Sequence, residues 1–197
     1  MTEKEQSTQE TILLATIDCI NENGIEHLTT RMIAERAGAN IASINYYFRT
    51  KEQLVNQALK VTITHMLEDV IAAIDDEGLP FRQKLTDIFY YLISGARNNP
   101  GITTAHLYSL VVEKDYQSIS AQSFLAAFEN IRERLLDNFP QDDPARLSVV
   151  LSTIFSAILF MMLTPDFFPM DEQYKNKDDE HQRNLAEHFT EMFYSMV

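Results

Sequence analysis

The side chains with the most chemistry to offer lie between Thr29 and Lys51, in the stretch TTRMIAERAGANIASINYYFRTK. Asparagine pairs well with an adenine edge, and hydroxyls and lysine hold phosphates. The candidates for contact with a duplex are Thr29, Thr30, Arg31, Asn40, Ala42, Ser43, Asn45, Tyr46, Tyr47 and Lys51. Asn45 serves either a base edge or a phosphate. Lys51 falls in the first turn of the next helix, where a free backbone N–H helps to hold a phosphate. Between residues 28 and 60 five Lys or Arg stand against two Asp or Glu, although the 197-residue chain has a net charge of −13. The molecule as a whole is no general polyanion binder, but this stretch carries a local basic patch.

Two short helices must position these groups. Thr29 is a candidate N-cap for a helix that buries Ile33, Ala34 and Ala37. Gly38 supplies the left-handed backbone of a sharp turn. A second helix then places Ile41, Ile44 and Phe48 on one face at i, i+3 and i+7. Ala34 is small where the helices cross, and Ile44 fills the space between them. This is helix-turn-helix spacing, and it leaves Ala42, Asn45, Tyr46 and Arg49 pointing outward, with Ser43 and Tyr47 to the side.

Residues from about Thr11 to Leu59 resemble the DNA-binding domain of TetR/AcrR-type transcriptional regulators. That pattern runs T-x-R-x-I-A-x-x-A-G, then a short recognition helix ending in Y-x-Y/H-F, then S/T-K-E-x-L. It is matched here by Thr29, Arg31, Ile33, Ala34, Ala37, Gly38, Tyr47, Phe48, Thr50, Lys51, Glu52 and Leu54. Asn45 departs from it, standing where many members carry the first tyrosine. The resemblance implies an all-α homodimer whose last two long helices pair into a four-helix bundle. It implies recognition helices that enter successive major grooves of a near-palindromic operator. It also implies a small molecule that shifts the linking helix, here Lys51 to about Glu77, and releases DNA, most often from a repressor. On this reading residues 1–52 form the DNA-binding domain, and residues 53–197 form the effector-binding and dimerisation domain.

The rest of the chain also reads as helical, with about nine helices in all and no convincing period-two alternation. Thr50-Lys51-Glu52-Gln53 is a capping box. Asn23-Gly24, Gly78-Leu79-Pro80 and Asn99-Pro100-Gly101 mark helix ends. Further helices are expected from about Ile102 to Leu110, Ser118 to Asn138, Pro144 to Thr164 and Asp178 to Met196. The last two are the dimer candidates. Ser148, Ser152 and Ser156 form a small-residue stripe on one, and Leu185, Phe189 and Met192 an apolar face on the other. His65, Met66, Phe89, Tyr90, Tyr91, His106, Tyr108, Phe155 and Met162 are candidate lining for an apolar or amphipathic effector, because Met and aromatic side chains adapt to such ligands.

Composition excludes several classes. A chain 45% hydrophobic and 23% charged is neither disordered nor fibrous. Its single cysteine, Cys19, rules out a disulfide scaffold and fits a cytoplasmic location. The histidines, including His181 and His188 two turns apart, make no tight metal-ligand spacing, so no metal or other cofactor is expected. No phosphate-binding loop, nucleophile elbow, zinc-protease helix or dinucleotide fingerprint is present, so no enzyme is expected. Leu147 to Pro165 is uncharged and nearly long enough to span a bilayer. Its acidic flanks lack a positive-inside cluster, and no membrane partner is expected. The competing reading is a helical small-molecule-binding or membrane-associated interaction protein that lacks sequence-specific DNA binding.

Overall fold

The computed structural model describes residues 3–164, 167 and 178–197. Among these, the chain forms nine α-helices and no strands: α1 (Glu3–Asn23), α2 (Thr30–Ala37), α3 (Ile41–Phe48), α4 (Lys51–Asp75), α5 (Phe81–Asn98), α6 (Pro100–Val111), α7 (Ile119–Asn138), α8 (Pro144–Leu163) and α9 (Asp179–Met196). The all-α expectation holds, and local chemistry accounts for the boundaries. Gly24 ends α1 at φ +77°, a left-handed conformation that costs a glycine little. Asp143 opens α8 by accepting from the Ala145 N–H at 3.0 Å, with Pro144 in the first turn, where its missing N–H costs nothing. Asp178 caps α9 through the His181 N–H at 2.9 Å.

The helices pack as two compact units, Met1–His65 with Gly101–Ser123, and Met66–Pro100 with Phe124–Val197. Units of packing need not coincide with functional domains. In the first unit, Ile12, Ile20, Leu28, Ile33, Ile44, Phe48 and Leu54 form one apolar core. Cys19 joins it at 2% exposure, and burial pushes its thiol up, so it behaves as a small hydrophobe. Gly101 brings the start of α6 against the backbone at the end of α1, where its N–H donates to Asn21 Oδ1 at 3.1 Å.

In the second unit α9 lies along α5. The Phe89 and Phe189 rings meet edge-on at 6.4 Å, and the Thr86 and Thr190 hydroxyls share a buried hydrogen bond of 3.0 Å. Leu147, Val150, Leu151, Ile154 and Ile158 of α8 enter the same core. The window Pro144–Met161 is long and apolar enough to cross a membrane, and 28% of it is buried within the protein.

The second unit also corrects part of the expected dimer face. Leu185 and Phe189 are each 3% exposed inside this core, so they offer nothing to a second copy. Apolar periodicity marks a face that must be covered, and here α5 covers it. Met192, at 37% exposure, remains accessible on α9. On α8, Ser152 and Ser156 are exposed and Ser148 is half-buried. The Ser148 and Ser152 hydroxyls donate to carbonyls of their own helix, Pro144 O at 2.8 Å and Ser148 O at 2.6 Å. That leaves a smooth surface flanked by exposed Val149 and Phe160.

Candidate nucleic-acid interface

The interface is built on α2 and α3. Thr29 Oγ accepts from the Met32 N–H at 3.2 Å, satisfying one of the unpaired amides at the start of α2. Gly38 turns the chain at φ +60°, and the Ala39 N–H returns to Ala34 O at 3.0 Å. Asn40 then caps α3, its Oδ1 accepting from the Ser43 N–H at 2.7 Å and the Ser43 hydroxyl at 3.1 Å. Asn40 and Ser43, both candidate contacts, are therefore used first to fix the start of this helix. Ile44 and Phe48 lock its inner face into the core at 1% exposure each. Eight residues of α3 are thus capped at one end and pinned on one side, so their outer face has a defined orientation.

That outer face presents Ala42, Asn45 and Tyr46, all exposed. Tyr46 is 73% exposed, whereas Tyr47 is half-buried against the core. The two rings meet edge-on with centroids 5.1 Å apart, so Tyr47 props Tyr46. Arg31 is exposed on α2 and pairs with Glu35 one turn on at 3.2 Å, a contact water and salt weaken. Thr30 is half-buried at the start of α2. Arg36 is bound to Glu22 and lies 3.6 Å from Asp18, so it ties α2 to α1.

Lys51 departs from a simple phosphate hook. It is half-buried, and its Nζ donates to Leu28 O at 3.1 Å, which joins the start of α4 to the residue before the α2 cap. An ammonium has three donors, so this bond leaves two for another acceptor. Thr50 Oγ accepts from the Gln53 N–H at 3.1 Å, completing the expected α4 cap.

One feature of this region carries no sequence signal. Arg49 ends α3 at φ +61° and ψ −53°, and the Thr50 N–H reaches Phe48 O at 2.6 Å. This is a γ-turn of the rare, strained hand, at a residue with no special tolerance for positive φ. Strain of this kind persists only where the surroundings over-determine it. The Phe48 anchor on one side and the Lys51–Leu28 bond on the other do so here.

The proposed effector residues fall in different places. His65, His106 and Tyr108 belong to the first unit, and Met66, Phe89, Tyr90, Tyr91 and Phe155 to the second. Phe89 is fully buried in the second unit's core and is not accessible to a ligand there. Tyr90 is held by Asp179, and Tyr91 donates to Asp69 at 2.6 Å. Burial, and then that bond to Asp69, pushes the Tyr91 phenol up. Phe155 is half-buried, edge-on to Phe128 at 6.1 Å, and His65 is exposed. The Met162 side chain lies outside the described residues. Arg97, which no motif in the sequence marks, is 8% exposed on α5, its guanidinium pulled down by desolvation.

Comparison with known proteins points the same way as the geometry. A family model described as bacterial regulatory proteins, tetR family, matches residues 12–58. The class A tetracycline repressor from transposon 1721 of Escherichia coli is 30% identical over 71 residues, 36% of this chain and 33% of that protein. The transcriptional regulator BetI of Agrobacterium fabrum is 25% identical over 138 residues, 68% of this chain and 66% of that protein. This chain thus spans between a third and just under two thirds of these relatives' length. The crystal structure of the regulator FadR from Bacillus subtilis with stearoyl-CoA superposes with a TM-score of 0.70 at 14% identity, covering 95% of this chain and 98% of that one. At that identity the likeness establishes the fold.

Proposed function

We propose that this chain, whose residues 12–58 match the tetR-family model, is a ligand-responsive transcriptional repressor of the TetR type. As a homodimer it binds a near-palindromic operator, and a small molecule releases it. The observation that carries this reading is the outer face of α3, where Ala42, Asn45 and Tyr46 are exposed on a helix whose cap and inner face leave it no freedom to turn. A rigid polar helix face with Arg31 beside it suits a major groove. The effector is an apolar or amphipathic molecule, a class that includes the stearoyl-CoA held by FadR. A bacterial cytoplasm is the matching location.

Selection of bound duplexes from a randomised pool tests the reading. Enrichment of one near-palindromic sequence, with half-sites about 34–36 Å apart or a multiple of that, is the expected result. A pool that stays random would refute it. On the selected duplex, Arg31→Ala relaxes discrimination at particular base pairs by about 1–3 kcal/mol. Lys51→Ala instead weakens all duplexes alike and lowers the salt slope by about 1. An altered sequence preference with an unchanged slope would remove Lys51 from the backbone.

Dimerisation is assigned to the exposed faces of α8 and α9, around Ser148, Ser152, Ser156 and Met192. A two-fold interface covers both with one self-complementary surface. Ser152→Arg places a charge where a second helix must approach and yields monomers that lose tight operator binding. Sedimentation is the measurement, and a wild-type monomer at micromolar concentration would contradict the assignment.

A further inference from the structure

Helix α3 carries no charged side chain: Ile41 to Phe48 include no Arg, Lys, Asp or Glu. That bears on the bases it faces, because each base asks for a different reader in the major groove. Guanine offers two acceptors, N7 and O6, and calls for the donors of arginine or lysine. Cytosine offers the N4 donor and calls for a carboxylate. Adenine sets an acceptor beside a donor, which an amide side chain matches, and thymine offers a methyl group, which an apolar side chain covers.

The structure narrows the readers further. Asn40 and Ser43 are bonded to each other at the cap, Ile44 and Phe48 are buried, and Tyr47 is half-buried. The exposed side chains of α3 are Ile41, Ala42, Asn45 and Tyr46, which share one face at i, i+1, i+4 and i+5. Among the described residues no hydrogen bond occupies the Asn45 amide, so its donor and its acceptor are both available to a base. An asparagine facing guanine can donate, but its Oδ1 then stands beside acceptors only, and an acceptor left unpaired in a closed interface is costly. The other three present apolar surface, and the Tyr46 hydroxyl, donor and acceptor alike, discriminates little.

Nearby cations do not give α3 a guanine reader. Arg36 is tied to Glu22 and Asp18, and Lys51, at the start of α4, donates to Leu28 O. Arg49 follows the last turn of α3, swung out of the helix at φ +61°, whereas base contacts in a helix-turn-helix come from the N-terminal part of the recognition helix. That leaves Arg31 on α2, whose exposed pairing with Glu35 is weak. We propose that each operator half-site is A·T where α3 enters the groove, with an adenine held by Asn45 through N6 and N7 and thymine methyls packed on Ala42 and Tyr46. Guanine is read only where Arg31 reaches. This inference rests on the proposed operator binding and specifies its sequence.

Selection from a randomised pool, run with the wild type, Asn45→Ala and Arg31→Ala, locates the base pair that each residue reads. The position that Asn45→Ala relaxes should be an adenine, which the wild type prefers over guanine by about tenfold. The position that Arg31→Ala relaxes should be a guanine. On the selected duplex, 7-deazaadenine at the Asn45 position removes N7 alone and should weaken the wild type severalfold, but not Asn45→Ala. Uracil in place of the neighbouring thymines removes only methyl groups and should also weaken the wild type severalfold, with most of that loss absent from Tyr46→Ala. A G·C pair at the Asn45 position, or an Asn45→Ala variant that weakens every duplex alike, would overturn the inference. So would analogue duplexes bound as tightly as the parent. In each of these cases the enriched palindrome would still support operator binding, whereas a pool that stayed random would end both.

Discussion

Gly101→Ala lowers the stability of the chain by about 3 kcal/mol, the upper end of ordinary overpacking. A Cβ built at residue 101 would lie 2.4 Å from Ile20 O, 2.5 Å from Asn21 O and 2.6 Å from Asn21 Cα. All three are backbone atoms of α1, so no side-chain rotation relieves the clash. Helix α6 must move away from α1, and the bond from the Gly101 N–H to Asn21 Oδ1 lengthens or breaks. The control is Gly95→Ala in the interior of α5, where an added Cβ meets nothing within 4 Å. A glycine inside a helix costs about 0.5–1 kcal/mol relative to alanine, so this variant should be stabilised by that amount. Urea unfolding of both variants decides the matter. Equal midpoints would mean that the close approach of α6 to α1 is absent in solution.

Acid should destabilise the protein through His106. Burial holds this imidazole at about 4, below the ordinary value of 6.5, and no charged neighbour contributes to the difference. Both states are neutral at pH 7, so the lowered value has no effect there. Below about 6.5 the unfolded chain takes up a proton that the folded chain refuses, and stability falls with pH. The loss grows to about 3 kcal/mol as the pH nears the folded value, because each tenfold difference in proton affinity is worth about 1.4 kcal/mol. His106→Gln removes the titrating group. At pH 7 it should cost about 1–2 kcal/mol, because a buried hydroxyl loses its partner. Between pH 6.5 and 4 its stability should then fall less steeply than that of the wild type, and the two curves should cross before pH 4. Urea midpoints measured across this range give the comparison. Parallel curves would show that acid sensitivity arises from other groups.

The helix-turn-helix was legible because its signals are local. Thr29 before α2, Gly38 after it and Thr50 before α4 each act within four residues of themselves, through a single backbone amide or dihedral. The inner positions Ile33, Ala34, Ile44 and Phe48 follow helical periodicity and are buried as that periodicity demands. The starts of α8 and α9 fall within a residue of the expected Pro144 and Asp178, and the structure shows the local caps that set them, Asp143 and Asp178.

Where a decision depended on what lies opposite, the chain alone was silent. The Leu185–Phe189–Phe193 stripe announces that α9 must bury one face, but only the packing shows that α5 of the same chain covers it. Gly101 reads as a helix breaker in a line of residues, and its tight fit against α1 appears only when residues 80 positions apart meet. The left-handed Arg49 and the inward turn of Lys51 likewise have no sequence mark. Tertiary anchors on either side impose them, overriding the residue's own preference. The hydrogen bonds that join His106 to Thr62 and Ser120 exist only because three helices converge. Capping and periodicity are short-range and written in residue type; coverage, close approach and long-range hydrogen bonds depend on distant partners, and the tertiary structure alone supplies those.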